Sequence, residues 1–264
     1  MNGAAVIVDL SIWQLVLALG LVAAVIAISV HQALGLERDL TIGSVRTVVQ
    51  LFGVGFVLAA VFAAARWYWV VLILVAMIVI ATQAAVSRLG RPLRGAGWIA
   101  GTALSLSTAA TLAYVITVVV RVRPWWEPQY IIPIAGMILG NSMTSAALAG
   151  DRLQRDLRTR ADEVEARLAL GFSGQEAVQP MVRAALRAAM IPTVNAMMTV
   201  GVVQLPGMMT GQILAGSSPL LAIRYQIVVV FMQAAATGLG SLLFVRLAAL
   251  RYLTPAHQLR RHLL

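Results

Sequence analysis

WYWVVLILVAMIVIATQAAVS, residues 67–87, holds no Asp, Glu, Lys or Arg and is closed on either side by Arg66 and Arg88. A hydrocarbon core of about 30 Å takes roughly 20 helical residues to cross, so the stretch is the right length for one span. Lipid offers the backbone no water to bond, and a helix is the single-segment structure that satisfies its own N–H and C=O groups. The stretch therefore reads as a membrane-spanning helix. Charge-free runs recur at residues 10–30, 47–65, 95–120, 128–150, 188–223 and 225–245. Together they predict an all-α polytopic membrane protein, one transmembrane domain over residues 1–264. About seven helices are expected, at 10–30, 47–65, 67–87, 95–120, 128–150, 188–206 and 225–245.

Composition agrees. The chain is 60% hydrophobic and 11% charged, with a net charge of +10 that comes from arginine alone. Loops facing the cytoplasm collect cationic residues, and that explains the charge without nucleic-acid binding. With the N-terminus outside, the segments 31–46, 88–94, 151–187 and 246–264 fall inside and hold 16 arginines, against 4 outside (Arg66, Arg121, Arg123, Arg224). The expected placement is an inner (cytoplasmic) membrane, multi-pass, with the C-terminus cytoplasmic. Trp67, Trp69, Trp125 and Trp126 then sit at the outer boundary, where aromatic side chains anchor. Met1–Leu10 carries Asp9 and no cationic residue, unlike the start of a secretory signal, so the first run is read as a mature helix.

Residues 151–187 break the apolar pattern with seven arginines and six of the ten carboxylates. Leu153, Leu157, Ala161, Val164 and Leu168 recur at helical spacing. The pairs Asp151–Arg155, Arg152–Asp156, Asp156–Arg160 and Glu163–Arg167 stand four residues apart, where opposite charges support a helix. Gly171 stops this helix, and Ser173 with Glu176 forms an S-x-x-E capping box that starts another. The segment thus predicts a cytoplasmic helix hairpin with an apolar seam, a surface fit for a soluble partner. Residues 34–46 predict a shorter interfacial helix, with Leu34, Leu36 and Leu40 set against Glu37, Arg38 and Asp39.

The run 188–223 is too long for one span. Pro192, Pro206 and Gly207 are expected helix breaks, followed by a broken or re-entrant segment over about 207–219. The pairs Gly97/Gly101, Gly136/Gly140 and Gly207/Gly211 allow close helix approach. Within the spans the chemistry is neutral: no Asp, Glu, Lys or Arg lies at membrane depth, where ion-coupled carriers place theirs. His31, His257 and His262 fall at or beyond span ends, and there is no cysteine. No metal ligand set and no cofactor is therefore assigned to this chain. Ser105, Ser107, Ser142 and Ser145 have no base beside them, which argues against an intramembrane enzyme. No Walker-type phosphate loop is present. The candidate substrate path consists of Gln50, Asn141, Asn195, Gln204, Met208, Met209 and Gln226.

Several strings resemble the FetB/YbbM family, also known as UPF0014, iron-export permeases of the ATP-binding cassette type. They are Arg46-Thr-Val-Val-Gln50-Leu51, Ile132-Pro-Ile-Ala-Gly-Met-Ile-Leu-Gly140-Asn141, Leu168-Ala-Leu-Gly171, Arg187-Ala-Ala-Met-Ile-Pro192 and Val200-Gly-Val-Val-Gln-Leu205-Pro-Gly-Met-Met-Thr-Gly211. The resemblance implies a permease homodimer driven by a separate cytoplasmic ABC ATPase, which would supply ATP and Mg. It also implies export of iron or another metal, free or as a chelate. A nucleotide sugar or a lipid is the alternative cargo, and a stand-alone secondary carrier a more distant one. Glu165-Ala166 followed by Gly171 is similar to the E-A-A-x-x-x-G coupling motif of ABC importers. Its later I-x-L-P is replaced by Met181-Val-Arg-Ala184. The resemblance thus implies ATPase coupling through Glu165, Ala166, Gly171, Ser173 and Glu176.

Overall fold

A computed structural model describes residues 11–64, 66–90 and 95–263. The readings placed on the first ten residues, on Arg91 and Arg94, and on the His262 side chain lie outside the described set. Among the described residues the chain is helical throughout: α1 Ile12–His31, α2 Glu37–Ala64, α3 Trp67–Ser87, α4 Ala96–Tyr114, α5 Pro128–Thr159, α6 Ala161–Ala169, α7 Gly174–Thr199, α8 Gly207–Leu214 and α9 Pro219–Tyr252. A π-helical turn, Val115–Val120, extends α4, and a 3-10 turn, Arg261–Leu263, lies near the C-terminus.

Six of these helices are long and apolar enough to cross a membrane: α1, α2, α3, α4 with its π-helical turn, α5 and α9. The expected seventh, 188–206, is corrected. Its helix, α7, starts far earlier, at Gly174, and stops at Thr199. Only twelve of its residues fall in the charge-free run, about 18 Å at 1.5 Å per residue, too short for a hydrocarbon core. Pro192 does not break it either. Pro180 and Pro192 both lie inside α7: a proline φ is already helical, and the helix absorbs the missing hydrogen bond and the crowding of the ring on the carbonyl four residues back. The chain turns instead at residues 200–206. Gly201 takes a left-handed φ of +85°, and the Thr199 carbonyl accepts N–H bonds from Val202, Val203 and Gln204. Pro206 and Gly207 open the next helix, α8.

Two further expectations change. The interfacial helix over 34–46 is not separate, because from Glu37 onward it is the first part of α2, and nothing between Glu37 and Gln50 interrupts its helical backbone. The hairpin over 151–187 has a first arm in two pieces, the end of α5 and then α6, which part at Arg160. α5 carries on past the apolar run to Thr159, and α7 runs from the cap at Ser173 without interruption into the apolar region.

The chain divides into two compact units, residues 1–65 with 214–217, and residues 66–213 with 218–264. In the first, α1 packs on α2, joined through Ser29, whose hydroxyl accepts from the Leu36 N–H and donates to Glu37. The second holds the larger core, where α5 and α9 meet with α3, α4 and α7 around them. Between lipid-embedded helices the hydrophobic effect contributes little and close contact does the work. Close contact requires small residues at two places. A Cβ on Gly150 would stand 2.5 Å from Phe244 Cε1, and one on Gly240 would stand 3.2 Å from Ser107 Oγ. The three predicted Gly pairs are less crowded. Gly101 faces Thr82 and Gly136 faces Met77, while an added Cβ at Gly97, Gly140, Gly207 or Gly211 would meet nothing within 4 Å.

Candidate functional site

Most of the charged residues of the second unit gather at one end, with Arg66, Arg121, Arg123, Glu127 and Arg224 at the other ends of the same helices. A Cβ on Gly90, after α3, would meet Asp151 Oδ1 at 3.0 Å, and one on Gly95, before α4, would lie 3.6 Å from Arg251 Nη2. Tyr252, closing α9, hydrogen-bonds Gln154 of α5. The ends of α3, α5 and α9 and the starts of α4 and α7 thus share one side.

The predicted seam forms here. Leu153, Leu157 and Val164 are fully buried and join Val178 and Met181 of α7 in the core, while Leu168 packs against it partly buried. Burying such a side chain away from water is worth about 1.5–3 kcal/mol. Three of the four predicted ion pairs are present: Arg155–Asp151, Arg152–Asp156 and Arg167–Glu163. The fourth is replaced. Because α5 ends before Arg160, that side chain turns forward to Glu163 at 2.6 Å, and its hydrogen bond is the main reason the Glu163 carboxyl is held below the usual range.

The capping box is also in place. Ser173 Oγ accepts from the Glu176 N–H at 3.4 Å, and Glu176 Oε2 accepts from the Ser173 N–H at 2.8 Å and hydroxyl at 2.7 Å. These bonds from Ser173 lower the Glu176 carboxyl pKa. Gly171 takes φ +89°, a left-handed turn that a side chain would strain. Beside it, Leu170 is 78% exposed and Phe172 47% exposed. They make an apolar tip on a charged surface.

Sequence reasoning missed what holds this tip. After α9 the chain folds back: the Arg260 N–H bonds the Tyr252 carbonyl, and Leu253 pairs with Leu259. His257 Nδ1 accepts from the Gly174 N–H at 3.0 Å. Arg261 forks onto Glu165, Nε to Oε1 at 2.5 Å and Nη2 to Oε2 at 2.6 Å, and reaches Asp162 at 2.5 Å. A guanidinium fork on a carboxylate fixes orientation as well as charge. Glu165 is therefore tied to the chain's own tail, while Ala166 stays exposed. Four arginines in the last segment were the visible signal, but not their partners.

The second candidate feature is a cavity of about 440 Å³ among α5, α7, α8 and α9. Of the predicted path, Asn141, Gln204, Met208 and Gln226 line it, as do Pro192, Pro206 and Gly207. Met137, Thr144, Ser145, Met197 and Gln233 line it too. Asn195 is exposed and is not among the lining residues, and Met209 is buried away from the cavity. Gln50 belongs to the other unit, on an exposed position of α2. Among the described residues no His, Cys, Asp or Glu cluster could hold a metal ion.

A model of an uncharacterised protein family, UPF0014, matches residues 12–253. This chain belongs to the UPF0014 family. A UPF0014 membrane protein of Synechocystis is 44% identical over 81% of this chain and 83% of its own. The protein ALUMINUM SENSITIVE 3 of Arabidopsis thaliana is 35% identical over 93% of this chain and 88% of its own. A protein of Escherichia coli named probable iron export permease protein FetB is 35% identical over 93% of each. No solved structure matches. The UPF0014 match takes in the apolar helices, the α6–α7 tip and the cavity and ends before the tail that carries His257 and Arg261; with the six long apolar helices it makes this a multi-pass membrane protein.

Proposed function

We propose that this UPF0014 protein is the membrane subunit of an ATP-binding cassette transporter that exports iron or another metal, driven by a separate cytoplasmic ATPase that binds the ATP and Mg. The observation that carries the reading is the α6–α7 tip. Leu170 and Phe172 stand exposed on a turn held by the Ser173 cap and by the Arg261 clasp. An apolar knob held in a rigid charged frame suits a groove on a soluble partner. The motif-bearing residues Glu165, Ala166, Gly171, Ser173 and Glu176 surround it. The charge-free runs hold no Asp, Glu, Lys or Arg, the groups that ion-coupled carriers place at membrane depth, which supports an outside energy source. The name of the Escherichia coli relative supports metal export.

Seven crossings with the charged end cytoplasmic fit this reading. α5 and α9 end on the same side, so the chain between them must return across the membrane. α7, the turn at residues 200–206 and α8 make that return together. The arginine bias puts the charged end inside. A permease homodimer fits as well, because Asn141 and Gln204 are exposed in the single chain, and amides at membrane depth need protein or water beside them.

The test is co-expression with a candidate ABC ATPase of the same organism, followed by co-purification. Phe172→Asp is expected to abolish co-purification and transporter-stimulated ATP hydrolysis while the permease still elutes as a folded species. Undiminished association of Phe172→Asp, and of Gly171→Pro, would overturn the docking site.

A further inference from the structure

A concavity of about 640 Å³ lies at the charged end, between the start of α4, the end of α9 and the returning tail, and Arg251, His257 and Arg260 line it. Among the described residues no carboxylate lines it, and none pairs with Arg251 or Arg260. The acidic groups of the neighbouring tip are engaged elsewhere: Asp162 and Glu165 hold Arg261, and Glu176 closes the Ser173 cap. His257 Nδ1 accepts from the Gly174 N–H, so Nε2 carries the ring's proton and is a donor. Arg260 is partly buried, and a charge drawn out of water without a counterion is costly. The concavity therefore favours an anion.

Its other character is apolar. Trp98, Ile99, Leu247 and Leu250 share the lining. Trp98 and Thr102 also line a second groove, of about 630 Å³, which follows α4 past Gly97, Gly101 and Ser105. Gly97 to Ser105 is eight residues, about 12 Å at 1.5 Å per residue. A Cβ on Gly97 would meet nothing within 4 Å, so the missing side chain leaves this groove open. Trp98 is 80% exposed and stands near the start of the charge-free run 95–120, the level at which an indole anchors between lipid and water. A cationic pocket thus continues into an apolar groove at the membrane boundary.

We infer that this end binds one anionic glycerophospholipid, its phosphate between Arg251 and Arg260 and an acyl chain along the α4 groove beyond Trp98. Guanidinium forks match phosphate oxygens, and basic pockets beside membrane helices take anionic headgroups. A soluble phosphate would answer the arginines and leave the groove uncovered, and a zwitterionic lipid would cover the groove but bring its own cation to the arginines. The inference stands apart from the permease reading, yet it reaches the tip. The tail that supplies Arg260 also holds Gly174 through His257 and Glu165 through Arg261. A headgroup shared by Arg251 and Arg260 fastens that tail to the end of α9.

The experiment is native mass spectrometry of the full chain with three probes at equal concentration: dioleoyl phosphatidylglycerol, dioleoyl phosphatidylcholine and free glycerol 3-phosphate. Wild type is expected to retain one phosphatidylglycerol per chain, at least fivefold over phosphatidylcholine, with glycerol 3-phosphate at background. Arg251→Gln and Arg260→Gln should each weaken that retention about fivefold, the usual scale for one arginine at an anionic surface. Gly97→Leu fills the groove from an uncrowded position and should weaken it several-fold. As a second measurement, amide exchange over residues 253–261 should be several-fold slower in phosphatidylglycerol nanodiscs than in phosphatidylcholine ones, and the double arginine variant should lose the difference. Equal retention of the two lipids by wild type, or phosphatidylglycerol retained unchanged by both arginine variants, would overturn the inference. Glycerol 3-phosphate retained as well as the lipid would assign the arginines to a soluble anion and overturn it too. Gly97→Leu that splits a dimer and leaves lipid retention intact would give the groove to a second copy of the chain, with the same consequence.

Discussion

At the scale of single residues, Glu176 couples local structure to pH. Its carboxylate closes the capping box on Ser173, and those bonds lower its pKa below the ordinary 4.5. A carboxyl whose folded pKa is depressed contributes stability that is fully present above the unfolded value and is lost as pH falls through the folded value. The start of α7 is therefore expected to loosen in acid below about pH 4.5. Amide exchange over residues 174–178 measures this, and Glu176→Gln should remove most of the acid response, since glutamine keeps the acceptor and loses the titration. Exchange in wild type that stays flat across that range would contradict the assignment. Ser173 and Glu176 were legible because a cap depends on residues three apart. Pro192 was misread for the same reason turned around: proline's local cost is real, but the helix on both sides of it is long enough to carry on.

Among elements, the junction of α6, α7 and the C-terminal tail has the clearest mechanical consequence. Arg261 grips Asp162 and Glu165 across 99 and 96 residues of sequence. These side chains are solvent-facing, so the junction should order the hairpin without raising global stability much, as surface ion pairs generally do. Arg261→Glu is expected to raise amide exchange over residues 162–172 several-fold and to lower transporter-stimulated ATP hydrolysis, with little change in melting temperature. The exchanged pair, Glu165→Arg with Arg261→Glu, should recover most of both. Unaltered exchange in Arg261→Glu would mean the clasp holds nothing. The seam Leu153–Leu157–Val164 was readable from spacing alone, whereas the clasp was not, because no local pattern tells an arginine which distant carboxylate it will meet.

For the whole molecule, orientation is the property most open to a direct check. The chain has no cysteine, so a single introduced thiol reports one position. In intact cells, an impermeant maleimide is expected to label Glu127→Cys and to spare Leu170→Cys until the membrane is opened. The reverse pattern would invert the topology and move the proposed ATPase site to the wrong side.

The amino-acid sequence determined the lipid environment, the all-helical class and the gathering of arginine between spans, because each depends on composition over one helix length. α3 appears at the bounds its flanking arginines set, Trp67–Ser87. Tertiary structure alone decided the rest. It stopped α7 at Thr199, pressed Gly150 against Phe244, tied Arg261 to Glu165, and set Gln226 of α9 around the same cavity as the opening of α8. Those outcomes arise where separate helices compete for the same space, and side chains far apart in the chain become neighbours only after the helices have packed.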